Sequence, residues 1–445
     1  MTAMEVRLNL PELAVNRNPT VTTNPAETER WLTGLPFLNI ADTSHLIANA
    51  LSELNRTRLG ETQRFKLLEL YRAPVRHITR ELQKNYLGLS LPLPERSRLI
   101  AQQARQIQIE MAYGYKRVTL DASRADLNRA TEKAALAVPI QRAIRYLTEV
   151  LVKSYELYTP VPVGCWREIH DLYGLAETLG ITELPVADPL NEATVQSSVA
   201  HVYKQAVLIA LCDPYHLPVR LLEKVQDYLD SQASLARLLP PSSPSRPNCE
   251  YLIYLDDDRA NFTPGADRKN IQPERLRVLN TVELARTIHT QLKSLEQELA
   301  PSVGGLPHSE LRDMLRRLII AWGVNPKRSF TRSAVPGAPF HLAIGIDAVA
   351  YFLNGAQDFI LSTQEMGPQP QRTQLSSMDD QRYLNYPRPE LMTWEVLNES
   401  AGGLALRERS VPKESLRVGE IIAVKPAGEG THWNIAVIRW MKSAG

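Results

Sequence analysis

Cysteine is nearly absent from this sequence: Cys165, Cys212 and Cys249 are the only three in 445 residues. They lie far apart, with no Cys-x-x-Cys pair or Cys/His cluster, which excludes a zinc-knuckle or disulfide-stapled fold. Buried free thiols in a reducing compartment are the expectation. Aromatic residues are scarce at 7%. No apolar run approaches the roughly 20 residues needed to span a bilayer. The opening stretch MTAMEVRLNLPEL lacks the apolar block of a signal peptide, so a cytoplasmic protein without a membrane span is expected. A surplus of one charge is missing too, since 51 Lys and Arg against 49 Asp and Glu leave a net +2. A DNA or RNA binder needs a basic footprint, so neither partner is expected. Any phosphate ligand must be met by a local group of arginines.

Catalytic signatures are also lacking. There is no GxSxG elbow, Walker loop, HExxH or zinc set, so no catalytic residue and no metal ligand is assigned and no enzyme is expected. Asp256, Asp257 and Asp258 follow an apolar run, YLIYL. Successive strand residues point to opposite faces, so three neighbours do not converge on one ion, and a strand-end turn with solvated charges is expected. His170, His201 and His216 lack metal-ligand spacing and read as surface or helix-end residues.

What is present is a globular composition, 44% hydrophobic and 22% charged, in a chain long enough for two or three domains. Residues 1–42 read as an arm, rich in Asn, Thr and Pro turn signals. Residues 43–240 read as an α-helical domain. Leu68, Tyr71, Val75, Ile78 and Leu82 recur at helical spacing, with a kink or break expected at Pro74. Ile140, Ile144, Leu147, Leu151, Tyr155 and Tyr158 form a second stripe. Trp166, Leu172, Tyr173, Ala176 and Gly180 resemble one tetratricopeptide unit, but no second copy is in register, so the domain is a bundle or repeat-like array. PPSSPSRPNCE marks a change of composition. Residues 241–323 then read as a linker, a strand and two helices completing the helical part, with Thr281 as an N-cap and Gly323 as a helix stop.

From residue 324 to 445 the period becomes that of strands. FHLAIGIDAVAYFLNG, WEVLNESAGGLALRE, GEIIAVKPAG and HWNIAVIRWMK are short β-rich runs between turn residues, with an insertion at 356–390. Two polar elements flank these runs. Arg328-Ser-Phe-Thr-Arg332 places two guanidiniums before a strand, suited to forked bonds with phosphate and to stacking on purines. Asn398-Glu-Ser400-Ala-Gly-Gly403 is a short polar turn where amide, hydroxyl and backbone can meet a base edge and glycine permits close approach.

RxxxR followed by a β-run and then NxSxxG resembles the signature of the PilZ family, and the resemblance covers roughly Lys327 to Lys442. It implies a six-stranded β-barrel, which with the large helical domain before it makes an α+β multidomain protein. It further implies cyclic di-GMP as ligand, with no other cofactor. Arg328 and Arg332 would clamp phosphates and guanines, Asn398 and Ser400 would contact a guanine edge, and Gly403 would hold the turn. A receptor passing the signal to a protein partner through its helical domain is the expectation. A ligand-free PilZ-like adaptor with a helical scaffold is the alternative.

Overall fold

A computed structural model of the chain describes residues 6–14, 21–124, 129–190, 196–241, 249–261, 272–297, 307–323, 331–335, 337–356, 388–408, 416–428 and 432–443. The chain divides into two units. One comprises Met1–Leu89, Leu93–Pro326 and Lys442–Gly445, and the other Ser90–Pro92 and Lys327–Met441.

The first unit is helical. It runs through α1 (Pro25–Thr33), α2 (Ile40–Arg56), α3 (Glu61–Gln83), α4 (Glu95–Ser123), the short α5 (Ala130–Ala135), α6 (Ala137–Glu156) and α7 (Cys165–Leu179). A two-stranded ribbon, β1 (Val186–Ala187) and β2 (Gln196–Ser197), precedes α8 (Val199–Leu211) and α9 (Val219–Gln232). Strands β3 (Arg237–Leu239), β4 (Glu250–Tyr254) and β5 (Leu276–Asn280) form an antiparallel sheet in the order β3-β5-β4. Helices α10 (Val282–Glu296) and α11 (His308–Gly323) complete the unit. No helix among the described residues is long and apolar enough to cross a membrane.

Both sequence stripes are buried, on α3 and α6, with Tyr158 just beyond. Pro74 does not break α3, which continues through it. Tyr71, Val75 and Ile78 anchor the helix on either side, and tertiary burial outweighs the lost backbone bond. Helix α1 lies in the stretch read as an arm. Asn24 caps it by accepting the Ala26 and Glu27 N–H groups at 2.9 and 3.4 Å, and Pro25 opens the first turn. It buries only Thr28 and Leu32, too few positions to show a period. Gly114 on α4 is a packing glycine: a Cβ there would come within 2.5 Å of the Leu68 side chain on α3.

Three other sequence expectations change. His170 and His201 are not surface residues. Both are buried, and His170 sits between the Tyr203 hydroxyl and the Arg259 carbonyl, each at 2.7 Å. Burial pushes both imidazoles down to about 4, which keeps them neutral. The aspartates after β4 are not simply solvated. Asp258 accepts the N–H groups of Gly164 and Arg167 at 2.7 and 3.1 Å, capping the start of α7, while Asp256 pairs with Arg275 at 2.9 Å. Thr281 is the N-cap residue of α10, but its side chain makes no cap bond. Its hydroxyl bonds the Trp322 carbonyl at 2.5 Å, and Asn280 accepts the Val282 N–H at 3.2 Å instead. Gly323 does end α11.

Buried charges tie the helices together. Asp188 is met by Arg72, by Arg142 at 3.1 Å and by Arg145 at 3.5 Å. Burial raises its pKa, but the pull of Arg142, Arg72 and Arg145 outweighs this and holds the carboxyl below its ordinary value. Lys116 on α4 meets Glu168 on α7 at 2.7 Å. Trp322, fully buried, donates its indole N–H to the Leu208 carbonyl at 3.0 Å.

The second unit is a six-stranded antiparallel sheet of β6 (Ser333–Ala334), β7 (Pro339–Ile344), β8 (Met392–Ser400), β9 (Gly403–Arg407), β10 (Ile421–Pro426) and β11 (Asn434–Val437). Its order is β11-β10-β7-β8-β6, with β9 on the other side of β8, and it curls into a half-barrel. Leu91 joins it by an isolated bridge to Leu416. The run read as one strand from His341 to Phe352 divides at Gly345, and its second half is a helix, α12 (Ile346–Leu353). Alternation along β7 explains the two sides. Leu342 and Ile344 join Ile422 and Val424 in one apolar cluster, while Ala343 and Ala423 lie under Ala348 and Val349 of α12. Small side chains at 343 and 423 are what let a helix approach that face. Most of the 356–390 insertion lies outside the described residues.

Candidate functional site

The second polar element forms the β8–β9 hairpin. Ser400 stands opposite Gly403, leaving Ala401 and Gly402 as a two-residue turn. The Ser400 hydroxyl accepts the Gly402 N–H at 3.4 Å and donates to the Gly403 carbonyl at 3.3 Å, a local side-chain turn bond. Gly403 has φ +151°, which side chains rarely adopt, yet a Cβ there would meet nothing within 4 Å. Backbone conformation, not space, demands glycine at this position.

Asn398 is half-buried and pairs with Ala405. Between Val396 and Asn398 the register shifts, making Leu397 the extra residue of a β-bulge. The bulge reverses the alternation beyond it. Leu404 and Leu406 pack on the inner cluster. Gly403, Ala405 and Arg407 therefore take the other face, together with Asn398 and Ser400 opposite them.

The first polar element meets this hairpin through β6. Ser333 lies opposite Glu399 and Ala334 opposite Asn398. Arg332 directly precedes β6, next to the Ser400 end of β8. Arg332 is exposed. Two elements far apart in sequence thus become neighbours on adjacent strands. Arg328 lies outside the described residues.

The matching family models follow the same division of the chain. The model for the N-terminal domain of the cyclic-di-GMP receptor FimW matches residues 26–243. The model for the middle PilZ domain of that receptor matches residues 253–386 and 361–445. The C-terminal part of the chain is a PilZ-family domain. The chain's cyclic-di-GMP receptor FimW relative from Pseudomonas aeruginosa is 29% identical over 469 aligned positions, taking in 94% of this chain and 74% of that one. No solved structure matches.

The PilZ match begins well before the sheet unit. The described residues from 253 to 323 fall in the helical unit, and β5 from this stretch pairs with β3, which lies in the N-terminal match. The β3-β5-β4 sheet therefore straddles the boundary between the two family models.

Sequence reasoning passed over three residues on the motif face. Ala334, exposed, and Ala405, buried, flank Asn398 across the strands. Arg407 stands two same-face positions beyond Gly403 and pairs with Glu395 at 3.5 Å. Alternation along GGLALRE carries the signal for Ala405 and Arg407, once Gly403 is assigned to the outer face.

Proposed function

We propose that the protein is a cytoplasmic cyclic di-GMP receptor whose PilZ unit takes the ligand on the Arg332–Asn398–Ser400–Gly403 face. Arg328 and Arg332 hold phosphate and guanine through forked, charge-assisted bonds. Asn398 and Ser400 recognise a guanine edge, and Gly403 allows close approach of the backbone. The helical unit is the output, read by a protein partner. The pairing of β6 with β8 carries this reading, because it joins the two halves of the motif on one surface. That the relative is a cyclic-di-GMP receptor supports the choice of ligand. Calorimetry on the full chain with cyclic di-GMP, and GMP as control, tests it. The wild type binds, and Arg328→Ala and Arg332→Ala each lose at least about ten-fold in affinity, in line with losing a charged hydrogen bond. Heat with GMP equal to that with cyclic di-GMP would overturn the ligand assignment.

One observation favours a second reading, that of a ligand-free adaptor with a helical scaffold. The Ser400 hydroxyl is already engaged within its own turn. Silence of the wild type in the same titration decides for that reading. Coupling to the helical unit is tested by limited proteolysis with and without ligand; unchanged cleavage within residues 26–326 would exclude it.

A further inference from the structure

The motif face continues past the residues that define it. Along β9, Gly403, Ala405 and Arg407 alternate onto the same side as Asn398 and Ser400, and Glu395 stands opposite Arg407 on β8. Arg407 lies about 13 Å along the strand from Gly403, at 3.3 Å per residue. The Arg407 side chain is 55% exposed and that of Glu395 21%, with 3.5 Å between them. A partly exposed pair of this kind contributes modestly to folding, about 1 kcal/mol. Its position is the informative part. Arg332 and Arg407 stand at opposite ends of one sheet face, and the residue between Gly403 and Arg407 on that face, Ala405, is small and buried.

Resting on the ligand assignment above, we infer that Arg407 is a further anion contact of the cyclic dinucleotide site, held in reserve by Glu395 when the site is empty. A ligand with two phosphates presents charge on both sides of its ring, so Arg332 at one end leaves part of that charge unmatched. Arg407 supplies the cation at the other end. Glu395 keeps the guanidinium on the face and gives it up to a phosphate, whose doubly oxygenated edge accepts the same planar fork. Gly403, exposed and without a side chain, leaves room for the ligand beside the motif.

Calorimetry with cyclic di-GMP on the full chain separates this from a structural role. Arg407→Ala weakens binding about ten-fold. Arg407→Lys recovers only part of that loss, since lysine lacks the fork. Glu395→Gln tightens binding about two- to five-fold by freeing the arginine, at the scale of an exposed ion pair. Both substitutions break the same pair, so a merely structural pair would move affinity in the same direction in each. Wild-type affinity in Arg407→Ala, or a loss in Glu395→Gln matching that in Arg407→Ala, overturns the inference while the receptor reading stands. If the wild type itself does not bind, the receptor reading fails and Arg407 has no ligand to contact.

Discussion

The helical unit and the sheet unit treat charge in opposite ways. In the helical unit Asp188, Arg72, Arg142, Lys116 and Glu168 are buried and paired across helices. In the sheet unit Arg332 is exposed and Arg407 is mostly exposed, while the interior is apolar. Buried pairs leave a severe penalty when one member is removed, so they fix which helices meet. Exposed cations cost folding almost nothing and remain available to a ligand. The division points to one unit built for definition and another built for contact.

The contrast can be broken most sharply at Asp188. Asp188→Asn leaves three arginines without their shared carboxylate and should destabilise the helical unit by roughly 3–5 kcal/mol in denaturant titration. A loss under 1 kcal/mol would show that the cluster is better hydrated than its burial implies.

Acid comes next. In the unfolded chain His170 takes a proton near its ordinary 6.5, while in the fold burial holds it at about 4. The unfolded state therefore binds more protons between these values, and stability falls as pH drops through that window. About 3 kcal/mol is lost by pH 4. His201 shares the window. Denaturant midpoints measured at pH 7 and pH 5 should separate in the wild type and draw closer in His170→Gln.

Smaller effects are expected on the sheet side. Gly403→Ala places a side chain in a rare backbone region and should cost about 1–2 kcal/mol, read as a lowered thermal midpoint. Arg332→Ala should stay within about 0.5 kcal/mol of wild type in stability, because its side chain is exposed. If Arg332→Ala destabilised as much as Asp188→Asn, the contrast between the units would be lost.

The helix stripes were legible because 3.6-residue spacing survives in a single chain, as with Leu68 through Leu82. Helix α12 was not. Its eight residues, IDAVAYFL, are an apolar run too short for its period to separate helix from strand. Asp258 could not be read as a helix cap, since its partners at 164 and 167 lie some ninety residues upstream. His170 was misjudged for the same reason: the Tyr203 hydroxyl and Arg259 carbonyl that satisfy its ring come from distant segments. On the motif face, the paired polar elements were legible as local patterns. Arg407 was not, because its place depends on the bulge at Leu397 and on cross-strand register, which only the folded sheet defines.

The bridge between Leu91 and Leu416 has a practical consequence. Its two backbone hydrogen bonds, at 3.0 and 2.7 Å, tie the sheet unit to a tripeptide encoded more than two hundred positions ahead of it. A fragment starting at Lys327 would leave the Leu416 backbone without either bond. A fragment ending at Pro326 would lack Ser443, whose N–H reaches the Tyr158 carbonyl at 2.7 Å. Severing the chain after Pro326 therefore removes backbone bonds from both pieces.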